Sequence, residues 1–75
     1  MNTDKILTLA RKHVAANPAN EVTARVYLGN AVIMHDAGYL DRAKKEALKS
    51  LVYSVGPSHR DTQAVAAYIN RSTVQ

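Results

Sequence analysis

Residues 21–55 read EVTARVYLGNAVIMHDAGYLDRAKKEALKSLVYSV, and this stretch decides the fold. Its first part, from Val22 to about His35, is apolar on nearly every helical face, which is typical of a helix enclosed by other elements. Ala37-Gly38 interrupts the pattern with a glycine that can end a helix in the left-handed conformation. The stretch therefore predicts a helical hairpin, with an enclosed helix over 21–36 and a second helix over 40–55.

The second helix of this hairpin is amphipathic. Its apolar residues recur at the spacing of a helix that buries one side, and they are Leu40, Ala43, Ala47, Leu51 and Val55. Helices approach most closely where the residues at their contact are small. We therefore expect Ala31 of the first helix to face Ala43 of the second.

A shorter helix precedes the hairpin. We expect it over 4–16, with Thr3 as its N-cap and Asn17-Pro18 as its end. Its apolar stripe is Leu7, Ala10 and Val14, flanked by Ile6 and Leu9, and its solvent side carries Lys5, Arg11, Lys12 and His13. Asn20 is then a candidate N-cap for the helix over 21–36.

A fourth helix follows Gly56-Pro57. We expect it over 59–71, opened by a capping box of Ser58 and Asp61, with Val65, Tyr68 and Ile69 on its apolar side. Four helices joined by short loops pack mostly as antiparallel neighbours. The fold class predicted is all-α, a single helical domain over 1–75 in which about four short helices form a compact bundle around a central helical hairpin.

The amino-acid composition excludes some kinds of site and some classes of protein. The chain has 75 residues, a formal net charge of +4 and no cysteine, which excludes disulfides and thiolate metal sites. The opening MNTDK does not resemble a signal peptide, and no apolar run reaches the roughly 18 residues of a membrane span. We expect a cytoplasmic protein that does not enter a membrane.

The residues from Tyr27 to Leu51 resemble one tetratricopeptide repeat, a helical hairpin with a recurring pattern of aromatic, small and glycine positions. With Gly38 as the turn glycine, Tyr27 falls on the large aromatic position, Ala31 on the small one and Ala43 on the alanine of the second helix. The AGYLDRA run at 37–43 carries most of the likeness. The resemblance implies hairpin geometry and a protein-binding role.

The sequence also departs from that repeat. Asn30 stands at a usual leucine position, Ala47 at a usual aromatic one and Ser50 at a usual alanine, while Pro57 comes about two residues late. Such repeats bury their faces by stacking three or more copies, and only one copy is recognisable here.

The titratable residues do not form a catalytic or metal-binding motif along the chain. His13, His35 and His59 have no second histidine three or four positions away, so we expect solvated or capping histidines and no metal ion. The string His59-Arg60-Asp61 could suggest an acid–base pair, but no other kinase motif accompanies it. We expect neither a cofactor nor enzyme activity.

A basic strip on the helix over 40–55 is the best candidate for a binding surface. Arg42, Lys45 and Lys49 follow one another at helical spacing, and Tyr53 adds an amphipathic aromatic ring nearby. We expect these four residues to border the partner-binding surface, with Tyr27 in a structural role. The alternative is an ordinary solvated face, with Asp41 paired to Lys45 and Glu46 to Lys49.

Two functions remain open from the sequence. The first is a non-enzymatic protein-interaction module that binds or inhibits a protein with an acidic surface, as a monomer or a homodimer; accessory proteins of phages and other mobile elements include chains of this kind. The second is a basic factor that associates with nucleic acid. Asp41, Arg42, Lys44 and Lys45 at the start of the helix suit phosphates better than base edges.

Overall fold

The computed structural model describes residues 1–17 and 21–73, and within them it contains four helices and no strand. The helices are α1 (Thr3–Ala16), α2 (Glu21–Asp36), α3 (Leu40–Val55) and α4 (Arg60–Thr73). This confirms the predicted all-α bundle. No described helix combines the length and the apolar character that crossing a membrane requires.

Helix α3 packs against each of the other three helices. The buried residues of α3 are Ala43, Ala47, Ser50, Leu51 and Ser54, and all of them except Leu51 are small. The two buried serines satisfy their hydroxyl groups within the helix, since Ser50 Oγ donates to the carbonyl of Ala47 and Ser54 Oγ to that of Leu51. Leu40, which the sequence pattern assigns to the apolar stripe, is about half exposed instead.

Helix α2 is not enclosed, and this corrects the prediction from its apolar composition. Ala24 and Ala31 are fully buried, but Val22, Val26 and Ile33 are 66, 58 and 68% exposed. The physical reason is side-chain size, because the small residues on the buried side of α3 let the other three helices pack closely against it. The central position in the bundle belongs to α3, and α2 keeps one apolar side in solvent.

Helix α1 buries Ile6, Leu7, Ala10 and Val14, as its predicted stripe requires. Its N-cap is Asn2 rather than Thr3, because the Asn2 side chain accepts a hydrogen bond from the amide of Lys5 at 2.9 Å. The helix thus begins one residue earlier than predicted.

Helix α4 begins at Arg60 and extends to Thr73, whereas 59–71 was predicted. Its cap is also different: His59 Nδ1 accepts a hydrogen bond from the amide of Asp61 at 3.0 Å, so the predicted capping box with Ser58 is wrong. Val65 and Ile69 join the same apolar core as Leu51 of α3. The predicted N-cap Asn20 lies outside the described residues.

The turn between α2 and α3 is the predicted glycine-terminated one. Gly38 has a φ of +89°, which confirms the expectation of a positive φ. The amide of Gly38 donates to the carbonyl of His35, and the amide of Tyr39 donates to that of Met34 at 2.9 Å. This pair of hydrogen bonds is the Schellman arrangement, which satisfies carbonyls that the end of a helix leaves without partners.

The effect of a substitution at Gly38 therefore depends on how well the new residue tolerates a positive φ. A Cβ atom there would meet nothing within 4 Å, so the cost comes from the positive φ alone. We expect Gly38→Val to lower the melting temperature clearly more than Gly38→Asn, since asparagine tolerates this conformation and a β-branched residue does not. Thermal unfolding followed by circular dichroism measures the difference, and equal stabilities would contradict the assigned turn.

The packing of α2 and α3 gives a second prediction. Ala31 and Ala43 are both 0% exposed, and whether they face each other remains a prediction. Ala31→Leu or Ala43→Leu should each reduce the free energy of unfolding by about 1–3 kcal/mol through overpacking. Denaturant titration measures this, with Ala67→Leu on the exposed side of α4 as the matched control. Unchanged stability in both core variants would refute the hairpin register.

Candidate functional site

The four residues predicted to bind a partner form one strip along α3. Arg42, Lys45, Lys49 and Tyr53 are all exposed, and their spacing places them on one side of the helix. We refer to them as the α3 strip. The structure therefore brings together every residue of the predicted surface.

Aromatic rings of neighbouring segments contact two of the cations of the α3 strip. The Arg42 guanidinium lies 5.6 Å from the centre of the Tyr39 ring, and Lys49 Nζ lies 5.4 Å from the centre of the Tyr27 ring. Both distances are in the range in which a cation is attracted to the face of a ring. These contacts restrict the long basic side chains to a defined surface.

Tyr53 stacks on Tyr27 of α2. The ring centres are 5.5 Å apart with an angle of 20° between the planes, and such aromatic pairs contribute about 0.5–1.5 kcal/mol beyond burial of their area. Tyr27 is partly buried, whereas Tyr53 remains 50% exposed. Tyr53 thus presents a ring that is held in place and still accessible.

The charges along α3 divide into paired and unpaired groups. Glu46 pairs with Lys49 at 3.0 Å as predicted, and the hydrogen bond to that carboxylate is the main cause that raises the pKa of Lys49. Asp41 pairs with Lys44 at 3.3 Å, not with Lys45 as predicted. In the part of the chain that the structure describes, neither Arg42 nor Lys45 has a carboxylate within ion-pair distance.

Lys44 does not contribute to the α3 strip. Its side chain is only 13% exposed, and its Nζ lies 5.4 Å from the centre of the Tyr68 ring of α4. The aliphatic part of such a side chain covers apolar surface while the charge stays near water. Lys44 therefore helps to join α3 to α4.

A second group of residues, which the sequence did not bring together, lies where the ends of α1 and α3 meet the start of α4. His13 of α1 is buried, and its Nε2 donates a hydrogen bond to Asp61 Oδ2 at 2.8 Å. The ring of His59 meets that of His13 edge to face, with 4.8 Å between ring centres. We refer to His13, His59 and Asp61 as the His–Asp cluster.

The His–Asp cluster corrects one expectation and confirms another. His13 was expected in solvent but is buried. His59 does cap a helix, as expected for one of the histidines. The hydrogen bond from His13 is the main cause that lowers the pKa of Asp61 below its ordinary value, against the opposing effect of burial.

An open cleft of about 680 Å³ adjoins the His–Asp cluster. Its lining includes His13 and His59 of the cluster together with Tyr53 and Gly56 from the C-terminal end of α3. Tyr53 belongs both to this lining and to the α3 strip, so the two candidate surfaces meet at this residue.

His35 occupies a different place in the fold. Its Nε2 lies 2.8 Å from Asp4 Oδ1, and its Nδ1 lies 3.5 Å from Asp36 Oδ1. Both carboxylates are largely exposed, and the histidine lines a smaller cleft of about 180 Å³ beside the start of α1. His35 links α1 to α2 and takes no part in the His–Asp cluster.

Two sequence signals indicate the local positions of the residues of the His–Asp cluster. His13 continues the row formed by Ile6 and Ala10, at intervals of four and three residues, which places it on the buried side of α1. His59 and Asp61 stand at the start of α4, where side chains commonly accept hydrogen bonds from free amides. The meeting of α1 with α4 itself required the tertiary structure.

Comparisons with family models, with curated proteins and with solved structures found no match to this chain. The resemblance to a tetratricopeptide repeat therefore stays a prediction from the residues that carry it.

Proposed function

We propose that this protein is a non-enzymatic interaction module that binds another protein, and inhibits or regulates it, through the α3 strip. The observation that carries the proposal is the combination of two exposed cations, Arg42 and Lys45, with the stacked and half-exposed ring of Tyr53. Among the residues that the structure describes, neither cation is paired with a carboxylate. An aromatic ring held by its neighbour loses little conformational entropy on binding, which favours it as an interface anchor.

The partner proposed is a protein with an acidic surface. Carboxylates on such a surface could pair directly with Arg42 and Lys45, because no carboxylate of the described residues is paired with either cation. Charges at the edge of an interface mainly accelerate association, while a buried aromatic anchor mainly slows dissociation. We place this binding in the cytoplasm, in the setting of an accessory protein such as those of phages and other mobile elements.

One observation favours nucleic acid as a second candidate. The stacked pair of Tyr27 and Tyr53, with Lys49 beside it, resembles the combination of rings and cations on which unpaired bases stack. Salt separates the two candidates, because phosphate binding weakens by close to one unit of log Kd per contact for each unit of log salt concentration. An interface anchored by Tyr53 responds much less.

The function proposed can be tested by two sets of variants. Once affinity purification has identified the partner, we expect Tyr53→Ala to weaken the purified complex by more than about 1 kcal/mol, chiefly through faster dissociation. We expect the combined change of Arg42, Lys45 and Lys49 to Glu to slow association. Surface plasmon resonance measures both rates, and circular dichroism verifies that each variant is folded.

Two control variants test whether these effects are specific to the α3 strip and to the ring of Tyr53. Changing Lys5, Arg11 and Lys12 of α1 to Glu alters the net charge equally on another exposed side, and Tyr53→Phe keeps the stacked ring. Both should bind nearly as the parent protein does. If the α3 triple variant binds normally, or if Tyr53→Ala unfolds the domain, the interaction surface lies elsewhere.

We also propose that the chain associates with itself through α2. Val22, Val26 and Ile33 form an exposed apolar row, and Gly29 between them has open space around it, so a second helix could approach closely. A chain of 75 residues buries a smaller fraction of its surface on folding than a larger domain does, and association through this row would bury more apolar surface. Ile33→Glu should shift the protein toward monomer in sedimentation velocity measured over a range of concentrations. A parent protein that stays monomeric at high concentration would exclude this mode of association.

A further inference from the structure

We propose that the His–Asp cluster binds a divalent transition metal ion of the zinc type, with His13, His59 and Asp61 as its protein ligands. The three residues each offer one donor atom, and these atoms lie within 4.8 Å of one another. The proposal is independent of the α3 strip and departs from the expectation drawn from the sequence. Spacing along the chain could not reveal a ligand set that combines α1 with α4.

The distances between the donor atoms are close to those of a metal centre. Donors that bind zinc at about 2.0–2.1 Å in a tetrahedron lie roughly 3.3 Å from one another. The 2.8 Å contact between His13 Nε2 and Asp61 Oδ2 would open by about 0.5 Å as a metal ion replaces the shared proton. The widest pair would close by about 1.5 Å, a movement within the range of side-chain rotation.

The surroundings of the cluster fit a metal ion with an open coordination position. The His13 side chain is 10% exposed and that of Asp61 is 27% exposed, so two ligands are held and shielded by the fold. His13 and His59 also line the open cleft. Three protein ligands with access to solvent on the remaining side leave room for a water molecule or for a group of a bound partner.

The kind of donor indicates the kind of metal ion. Two imidazoles and one carboxylate suit Zn²⁺, Co²⁺, Ni²⁺ and Fe²⁺, whereas Ca²⁺ and Mg²⁺ require mainly oxygen donors. Among the described residues, three such donors lie close together in this cluster and in no other.

His59 couples metal binding to the start of α4. Its Nδ1 accepts the amide hydrogen of Asp61. Coordination through Nδ1 would use the same lone pair, and coordination through Nε2 would place the proton on Nδ1. Either mode exchanges the cap for a metal bond. An asparagine at this position can keep the cap without offering an imidazole, because asparagine is among the most favoured N-cap residues.

The test uses Zn²⁺ on the full chain without an affinity tag. A ligand that binds only the folded state raises the melting temperature, and at 0.1 mM zinc a site with a Kd of about 20 µM should raise it by about 4 °C or more for a domain of this size. Titration with Co²⁺ provides a second measurement. Its visible absorption should intensify with one equivalent per chain as the ion leaves its octahedral water shell.

Substitutions of the proposed ligands test whether the metal ion binds at the His–Asp cluster. His59→Asn keeps the cap, and Asp61→Asn keeps an acceptor for His13, yet each should abolish the zinc shift and the cobalt absorption. His35→Gln is the matched control, because it removes a histidine that also contacts carboxylates, and it should leave both signals unchanged. The proposal is overturned if the parent protein shows neither signal, if His59→Asn retains them, or if His35→Gln loses them.

Discussion

The fold depends on the small residues of the buried face of α3. Ala43, Ala47, Ser50 and Ser54 recur every three or four positions, so the other helices can approach this side of α3 closely. The serine hydroxyls do not oppose burial, since each donates to a carbonyl of its own helix. An α3 with large side chains in these places would hold its neighbours farther apart and leave the core less well packed.

The central position of α3 also explains where the candidate sites lie. The α3 strip is on the flank of α3 that adjoins α2, where Tyr27 and Asn30 contact Lys49 and Glu46. The opposite flank carries Lys44 toward Tyr68 of α4. The C-terminal end of α3 forms the wall of the cleft beside the His–Asp cluster. One helix thus orients both surfaces relative to each other.

Local features of the structure could be predicted from the sequence, and contacts between distant segments could not. The bounds of α2 and α3 and the positive φ of Gly38 follow from residues a few positions apart. The α3 strip is equally local, because helical spacing alone aligns Arg42 with Lys49. The exposure of Val26 and Ile33 was missed because apolar composition does not tell which of two adjacent helices is central. The burial of His13 beside Asp61 depends on helices that are far apart in sequence.

The hydrogen bond between His13 and Asp61 has a consequence for the order of folding. The two residues are 48 positions apart, and forming such a contact early would confine a long loop before other interactions compensate for its lost entropy. The α2–α3 hairpin needs only the closure of a short turn. We expect the hairpin to form first and to bring the ends of α1 and α4 together afterwards. A contact made so late stabilises the native state more than the transition state, so it mainly slows unfolding and thereby prolongs the lifetime of the folded domain.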